Sequence, residues 1–153
     1  MKEQRALELA VDAGAKAACQ KSRRGVVIFH AACEGSVSAS NGPPVPFVCG
    51  GSADCRAACR EVAVHAEARA LLAFKAADPL DRLGWELVHV KVVDGRPVPS
   101  GPPSCVRCSA LILEAGIARV WLLHEDGLRA YSAIEFHALS LQHHGLPAPR
   151  DAA

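Results

Sequence analysis

Two short stretches of this chain hold side chains that could do chemistry together. The first is His65-Ala66-Glu67, and the second, some forty residues on, is Cys105-Val106-Arg107-Cys108. Taken singly, each is weak, because a Cys-x-x-Cys can serve redox chemistry, metal binding or neither. Taken together they offer one imidazole, two thiolates and one free carboxylate. Two anionic sulfurs and a neutral imidazole suit zinc better than a hard, oxygen-seeking cation. Three protein ligands leave one coordination position open, which is the pattern of a catalytic zinc, and Glu67 stands beside it as an acid/base. A structural zinc or a non-catalytic zinc-stabilised binding module is the competing reading; a structural site more often has four protein ligands and no neighbouring carboxylate.

These residues need elements that start where they stand. The spacing predicts a helix from Val64 to Ala76 and another from Cys105 to Ala115, closed by Gly116. Cys105 and Cys108, three apart at a helix start, can aim both sulfurs at one ion, and the helix dipole favours their thiolate forms. His65 and Glu67 are two apart, so Glu67 reaches the site without being a ligand.

Around these helices, residues from about Glu3 to Cys19 read as a helix whose weak point is Gly14. Gly25 to Phe29 and Ser36 to Ser40 read as a hairpin, ended by Asn41-Gly42-Pro43-Pro44. The segment from Pro43 to Ala58 reads as loop. Asp78-Pro79 should end the His65 helix, Trp85 to Val93 is the clearest strand, and Asp94-Gly95 is a turn. Ala118 to His124 is a strand, Leu128 to Tyr131 runs back beside it, and Ser132 with Glu135 makes a capping box for a last helix to about His143. The order implies a three-layer α/β/α sandwich around a mixed five-stranded sheet. One domain, 1–147, with a flexible tail over 148–153, is expected.

The two motifs resemble the zinc-dependent nucleoside and nucleic-acid deaminase superfamily, whose signature is His-x-Glu followed by Pro-Cys-x-x-Cys. In that family the two motifs begin the helices on either side of the third strand, as expected here. The resemblance implies that His65, Cys105 and Cys108 hold a catalytic Zn²⁺ and that Glu67 carries the protons. It also implies that the backbone around Ala66 and Cys105 holds a base carbonyl, and that Asn41, at the end of the second strand, faces the nucleoside. Asn41-Gly42 is equally good turn chemistry. One departure stands out: Ser104 separates Pro103 from Cys105. Ser104 joins Asn41 and Ala66 as a candidate substrate contact.

Cys49, Cys55 and Cys59 lie in the loop before His65 and form a candidate second, structural zinc site, a feature some nucleotide deaminases carry in this region. Their spacing fits no common zinc knuckle, and free cysteines often simply pack.

Composition narrows the substrate. A net charge of +1 gives no general attraction to nucleic acid, and 5% aromatic residues give few stacking platforms. The expected reaction is therefore hydrolytic deamination of a cytosine-type nucleoside or nucleotide, with single-stranded DNA or RNA as the alternative substrate. A final strand pair with no intervening helix points, by resemblance, to the free-nucleoside, antibiotic and toxin-type branches. Arg23, Arg24, Arg56, Arg60 and Arg69 fall in the half that carries His65, and would suit a phosphate if gathered on one face. No leader or apolar span is read, and seven cysteines suit reduced thiols, so a cytoplasmic enzyme is expected. The resemblance also implies a homo-oligomer.

Overall fold

The computed structural model describes residues 1–74 and 84–147, the side chain of Arg60 apart. The expected tail over 148–153 and the Asp78-Pro79 helix stop lie outside the described residues.

The chain order is α1 (Glu3–Ala15), β1 (Arg23–His30), β2 (Ser36–Ser40), α2 (Ala53–Val62), α3 (Ala66–Ala73), β3 (Trp85–Val93), β4 (Arg96–Val98), α4 (Val106–Glu114), β5 (Arg119–His124), β6 (Gly127–Ser132) and α5 (Ala133–His143). The sheet runs β2-β1-β3-β5-β6, with β4 paired to β3 as a short sixth strand. Only β3 and β5 pair in parallel; the other ladders are antiparallel. The sheet is mixed, as the sequence implies.

Alternation along the strands splits the core in two. On one face Ala6, Leu7 and Ala10 of α1 pack on Val27, Phe29, Val88, Val90 and Val92. On the other, Ala66 and Ala70 of α3, Ile112 of α4 and Phe136 of α5 cover Val26, Ile28, Leu87, Val120 and Leu122. This makes three layers, with both motif helices on one face.

Helix α1 stops at Ala15 rather than near Cys19, which leaves Cys19 buried beyond the helix end. Its Gly14, a weak point by propensity, serves close approach. A Cβ on Gly14 would meet the Val92 side chain at 2.6 Å, and one on Gly25 would meet the carbonyl oxygen of Ala10 at 1.8 Å. Gly25→Ala thus drives backbone against backbone. It is expected to cost at least about 3 kcal/mol of stability, beyond the usual range for overpacking. Gly14→Ala, opposed mainly by a side chain that can turn, is expected to cost less. Urea unfolding of the two variants checks this, and equal stabilities would contradict the close-packing account.

Further elements differ from the sequence reading. Part of the segment read as loop is α2, whose Ser52 side chain accepts from the Cys55 N–H at 3.1 Å. Helix α2 lies largely on the surface. Helix α3 ends at Ala73, with Phe74 as its C-cap, three residues short of Ala76. Strand β4 contains Pro97, which an edge strand tolerates.

The edge of β3 that faces β5 has two partners. Its first half, Glu86 to His89, pairs with β5, and Lys91 to Val93 pairs with β4. Ser100 stitches the parting point. Its Oγ donates to His89 O at 3.1 Å and accepts from Leu123 N at 3.2 Å, and its N–H donates to Leu123 O at 2.7 Å. From this anchor the chain runs to Cys105.

Candidate metal centre and catalytic pocket

His65 is the N-cap of α3 and Cys105 the N-cap of α4, so the two helix starts converge on one point. His65 Nδ1 lies 3.2 Å from Cys108 Sγ and 3.3 Å from Cys105 Sγ, and the two sulfurs are 3.2 Å apart. Zinc bonds of about 2.3 Å to sulfur and 2.0 Å to nitrogen hold tetrahedral ligand atoms about 3.5 to 3.8 Å apart. A widening of a few tenths of an ångström therefore admits the ion, and the donor set fits zinc.

The two sulfurs are hydrogen-bonded to each other. That bond first, and then, against burial, His65, pushes the Cys105 thiol down to about 4. The same bond and burial push Cys108 up. The Cys105 sulfur also accepts from the Cys108 N–H at 3.4 Å and so caps α4. Hydrogen bonding with Cys105 raises the His65 pKa above the ordinary histidine value.

Glu67 is 4% exposed and lies beside this cluster. Burial alone would push its pKa up. His89 and the Ser104 hydroxyl, which donates a short hydrogen bond to Glu67 Oε1, outweigh burial and hold the carboxyl below the usual range. His89 Nε2 is 3.9 Å from the same oxygen. Burial pushes His89 down, against the opposing pull of Glu67.

These residues line one cavity of about 320 Å³ with Lys21, Arg24, Asn41, Ala66, Pro102 and Pro103. Ala66 is buried at the first turn of α3, where His65 supplies no side-chain cap to the backbone N–H groups. The Asn41 amide is engaged with backbone: Oδ1 accepts from Arg24 N at 2.8 Å and Nδ2 donates to Ser22 O at 2.7 Å. Asn41 thus ties the end of β2 to the start of β1 and lines the pocket. Ser104, expected as a substrate contact, has its hydroxyl on Glu67.

The arginines do not gather on one face. Arg69 donates to Ser40 O, Gly42 O and Pro43 O at 3.1, 3.3 and 2.8 Å, tying α3 to the end of β2. Arg23 donates to Ala15 O and Arg56 to Gly51 O. Arg24 alone of the described arginines lines the pocket; the side chain of Arg60 lies outside the described residues.

Cys49 Sγ and Cys55 Sγ stand 3.7 Å apart, and Cys59 and Cys19 line the same apolar cavity. Burial and then the neighbouring Cys55, Cys19 and Cys49 push the Cys59 thiol up. Among the described residues, only His65, Cys105 and Cys108 have three ligand atoms mutually within 4.8 Å. The second group is therefore a looser gathering than the first.

Sequence reasoning assigned no site role to His89 or Cys19, and weighed Arg24 only as one of five arginines that a phosphate could gather. His89 had one faint signal, an imidazole in the middle of an otherwise apolar strand.

The coordinates match two solved deaminases. Cytidine deaminase from Burkholderia pseudomallei aligns with a TM-score of 0.60 and 16% identity, over 89% of this chain and 96% of that one. dCMP deaminase from the cyanophage S-TIM5, in its apo form, aligns with a TM-score of 0.54 and 23% identity, over 78% and 82%. The fold is that of the cytidine and dCMP deaminases. No family model and no curated protein matches the sequence itself. Among the described residues no helix is long and apolar enough to cross a membrane.

Proposed function

We propose that this protein is a zinc-dependent hydrolytic deaminase that converts a cytosine-type nucleoside or nucleotide to its uracil form and releases ammonia. The observation that carries this reading is a buried carboxylate, Glu67, set beside a His-Cys-Cys cluster in a pocket of this fold. Zinc held by His65, Cys105 and Cys108 supplies the Lewis acidity that makes water nucleophilic near neutral pH.

Glu67 does the proton work. Water adds to C4 of the pyrimidine, and Glu67 accepts its proton and passes it to N3. The C4–N bond then breaks as Glu67 takes the proton of the new C4 hydroxyl and passes it to the amine, which leaves as ammonia while C4 becomes a carbonyl. In this reading the first N–H groups of α3, at Ala66, hold the base carbonyl, and Asn41 steadies the sugar side. The cavity volume suits one nucleoside or nucleotide better than an extended strand. The test is ammonia release by the zinc-loaded protein across nucleosides, nucleotides, free bases and single-stranded oligonucleotides. Turnover of a cytosine-type monomer is expected, and silence on every cytosine compound would sink the proposal.

Ser104 we assign to orienting Glu67 rather than to binding substrate. Ser104→Ala is expected to lower kcat about tenfold, the worth of one charge-assisted hydrogen bond, with KM and zinc content unchanged. Recovery in Ser104→Thr would support the role, and a raised KM with normal kcat would return Ser104 to the substrate.

The second metal remains a separate proposal, with Cys19 added to Cys49, Cys55 and Cys59 as a fourth thiolate. Metal analysis is expected to give two zinc ions per chain, falling to one in Cys55→Ala; one ion in the wild type would dismiss it. We also expect one domain, a reducing cytoplasmic setting and assembly of copies of this chain.

A further inference from the structure

We infer that the wall of the pocket formed by Lys21, Ser22 and Arg24 binds phosphate, which makes the substrate a nucleoside monophosphate rather than a free nucleoside. This rests on the deaminase reading above and deepens it, and it runs against the free-nucleoside branch that the antiparallel β5–β6 pair points to by resemblance. Arg24 is a half-buried cation with no ion-pair partner within 4.0 Å among the described residues. Taking a charge out of water costs free energy unless an opposite charge meets it. Burial lowers the Arg24 pKa, and the Glu67 carboxylate across the pocket opposes that only in part.

The guanidinium is nevertheless held in place. Nη1 donates to Ser100 O at 2.9 Å and Nε to Ser22 Oγ at 3.3 Å, while Nη2 has no acceptor among the described residues. An arginine that lines a cavity, fixed by two of its nitrogens and with the third unpaired among the described residues, is preset for a phosphate oxygen. Lys21 lines the same cavity on its exposed side and has no hydrogen bond or ion pair among the described residues.

The charge balance of the pocket agrees. Glu67 is the only carboxylate among its lining residues, and it belongs to the metal end, where Ser104 holds it. Lys21 also borders an adjoining groove that carries Arg23 and Lys91 against a single Asp94. In a chain of net charge +1 this local excess of cations is a selective feature, not a general one. The cavity, about 320 Å³, holds one nucleotide, which favours a terminal phosphate over a polynucleotide track.

The experiment compares binding of dCMP, CMP, deoxycytidine, cytidine and the products dUMP and deoxyuridine to the zinc-loaded protein by calorimetry, alongside ammonia release. Each nucleotide of the preferred sugar is expected to bind at least about tenfold more tightly than its nucleoside, an advantage that shrinks with added salt. Lys21→Ala is expected to remove severalfold, and Arg24→Gln about tenfold, of the nucleotide affinity while leaving the nucleoside affinity in place. Because Arg24 also holds Ser100, the exposed Lys21 variant keeps the test open if Arg24→Gln misfolds. Equal binding of nucleoside and nucleotide, or equal weakening of both by Lys21→Ala, would overturn the inference. Deamination of deoxycytidine or cytidine as fast as of the nucleotides would overturn it and leave the deaminase reading standing. Binding only to single-stranded oligonucleotides would overturn it in favour of a polynucleotide substrate, and no binding or ammonia with any compound would overturn both.

Discussion

Glu67→Gln is expected to carry zinc at the wild-type ratio and to turn over about 10²- to 10⁴-fold more slowly. The substitution keeps the shape of the side chain and an oxygen that can accept from Ser104. What it removes is the capacity to take and return a proton. Glu67 is not one of the three clustered ligand groups, so metal content should not follow activity. The alternative base is His89, whose Nε2 stands 3.9 Å from Glu67 Oε1. Burial lowers the pKa of that imidazole, whose unprotonated form can in principle accept a proton. Metal analysis and ammonia release on the same preparation decide between them. Turnover within tenfold of wild type in Glu67→Gln, lost in Glu67→Gln/His89→Ala, would move the acid/base role to His89.

Cys105→Ser is expected to lose both zinc and activity while keeping its fold. The Cys105 sulfur has two uses: it belongs to the ligand cluster, and it caps α4 by accepting from the Cys108 N–H. A serine hydroxyl is a good N-cap, so the helix start should survive. A hydroxyl is a poor substitute for a thiolate at zinc, so affinity should fall by more than the 10- to 100-fold seen when a mere supporting contact is lost. Circular dichroism should match the wild type while metal analysis and turnover collapse together. Retained zinc in Cys105→Ser would argue that the ion is held elsewhere, the thiols near Cys49 being the first place to look.

Acid should compete with the metal in the same direction. Binding needs neutral His65 and ionised thiols, and both His65 and Cys108 hold their protons to higher pH than their ordinary values. Zinc affinity is thus expected to fall as pH drops, beginning above the usual histidine range. Metal titration between pH 6 and 8 follows it; pH-independent affinity would contradict the ligand set.

The metal cluster was legible in the sequence because local pattern carries it. His65 and Glu67 sit at one helix start, Cys105 and Cys108 at another, and capping turns such starts into places where side chains meet. The strands were legible for the same reason, since β-branched runs alternate between two buried faces. The remaining site residues depend on pairings between distant segments. His89 faces Glu67 only because β3 lies between β1 and β5, and nothing within residues 85–93 says which face opens on a cavity. Arg24 looks like its neighbour Arg23, yet alternation along β1 sends one to the pocket and the other to the Ala15 carbonyl. Cys19 joins the later cysteines only after α1 ends early. Helix α2 escaped because its apolar face, Cys55, Ala58, Cys59 and Val62, is made largely of small side chains and thiols that read as a metal-binding loop.

The shared edge of β3 sets how this fold can vary. Each residue of β3 alternates between the α1 core and the side that carries Leu87 and His89, so the loss of one residue would exchange the two sets. Val88 or Val90 would then stand where His89 meets Glu67, and an imidazole would be forced against α1. Two partners on one edge, β5 and β4, also forbid a compensating slide, because correcting one ladder misaligns the other. The connection from Ser100 to Cys105 is under no such rule, being pinned at its ends with its backbone free to lengthen between them. Active relatives are therefore expected to differ in length before Cys105 and in the loop over residues 43–52, and to keep β3 residue for residue.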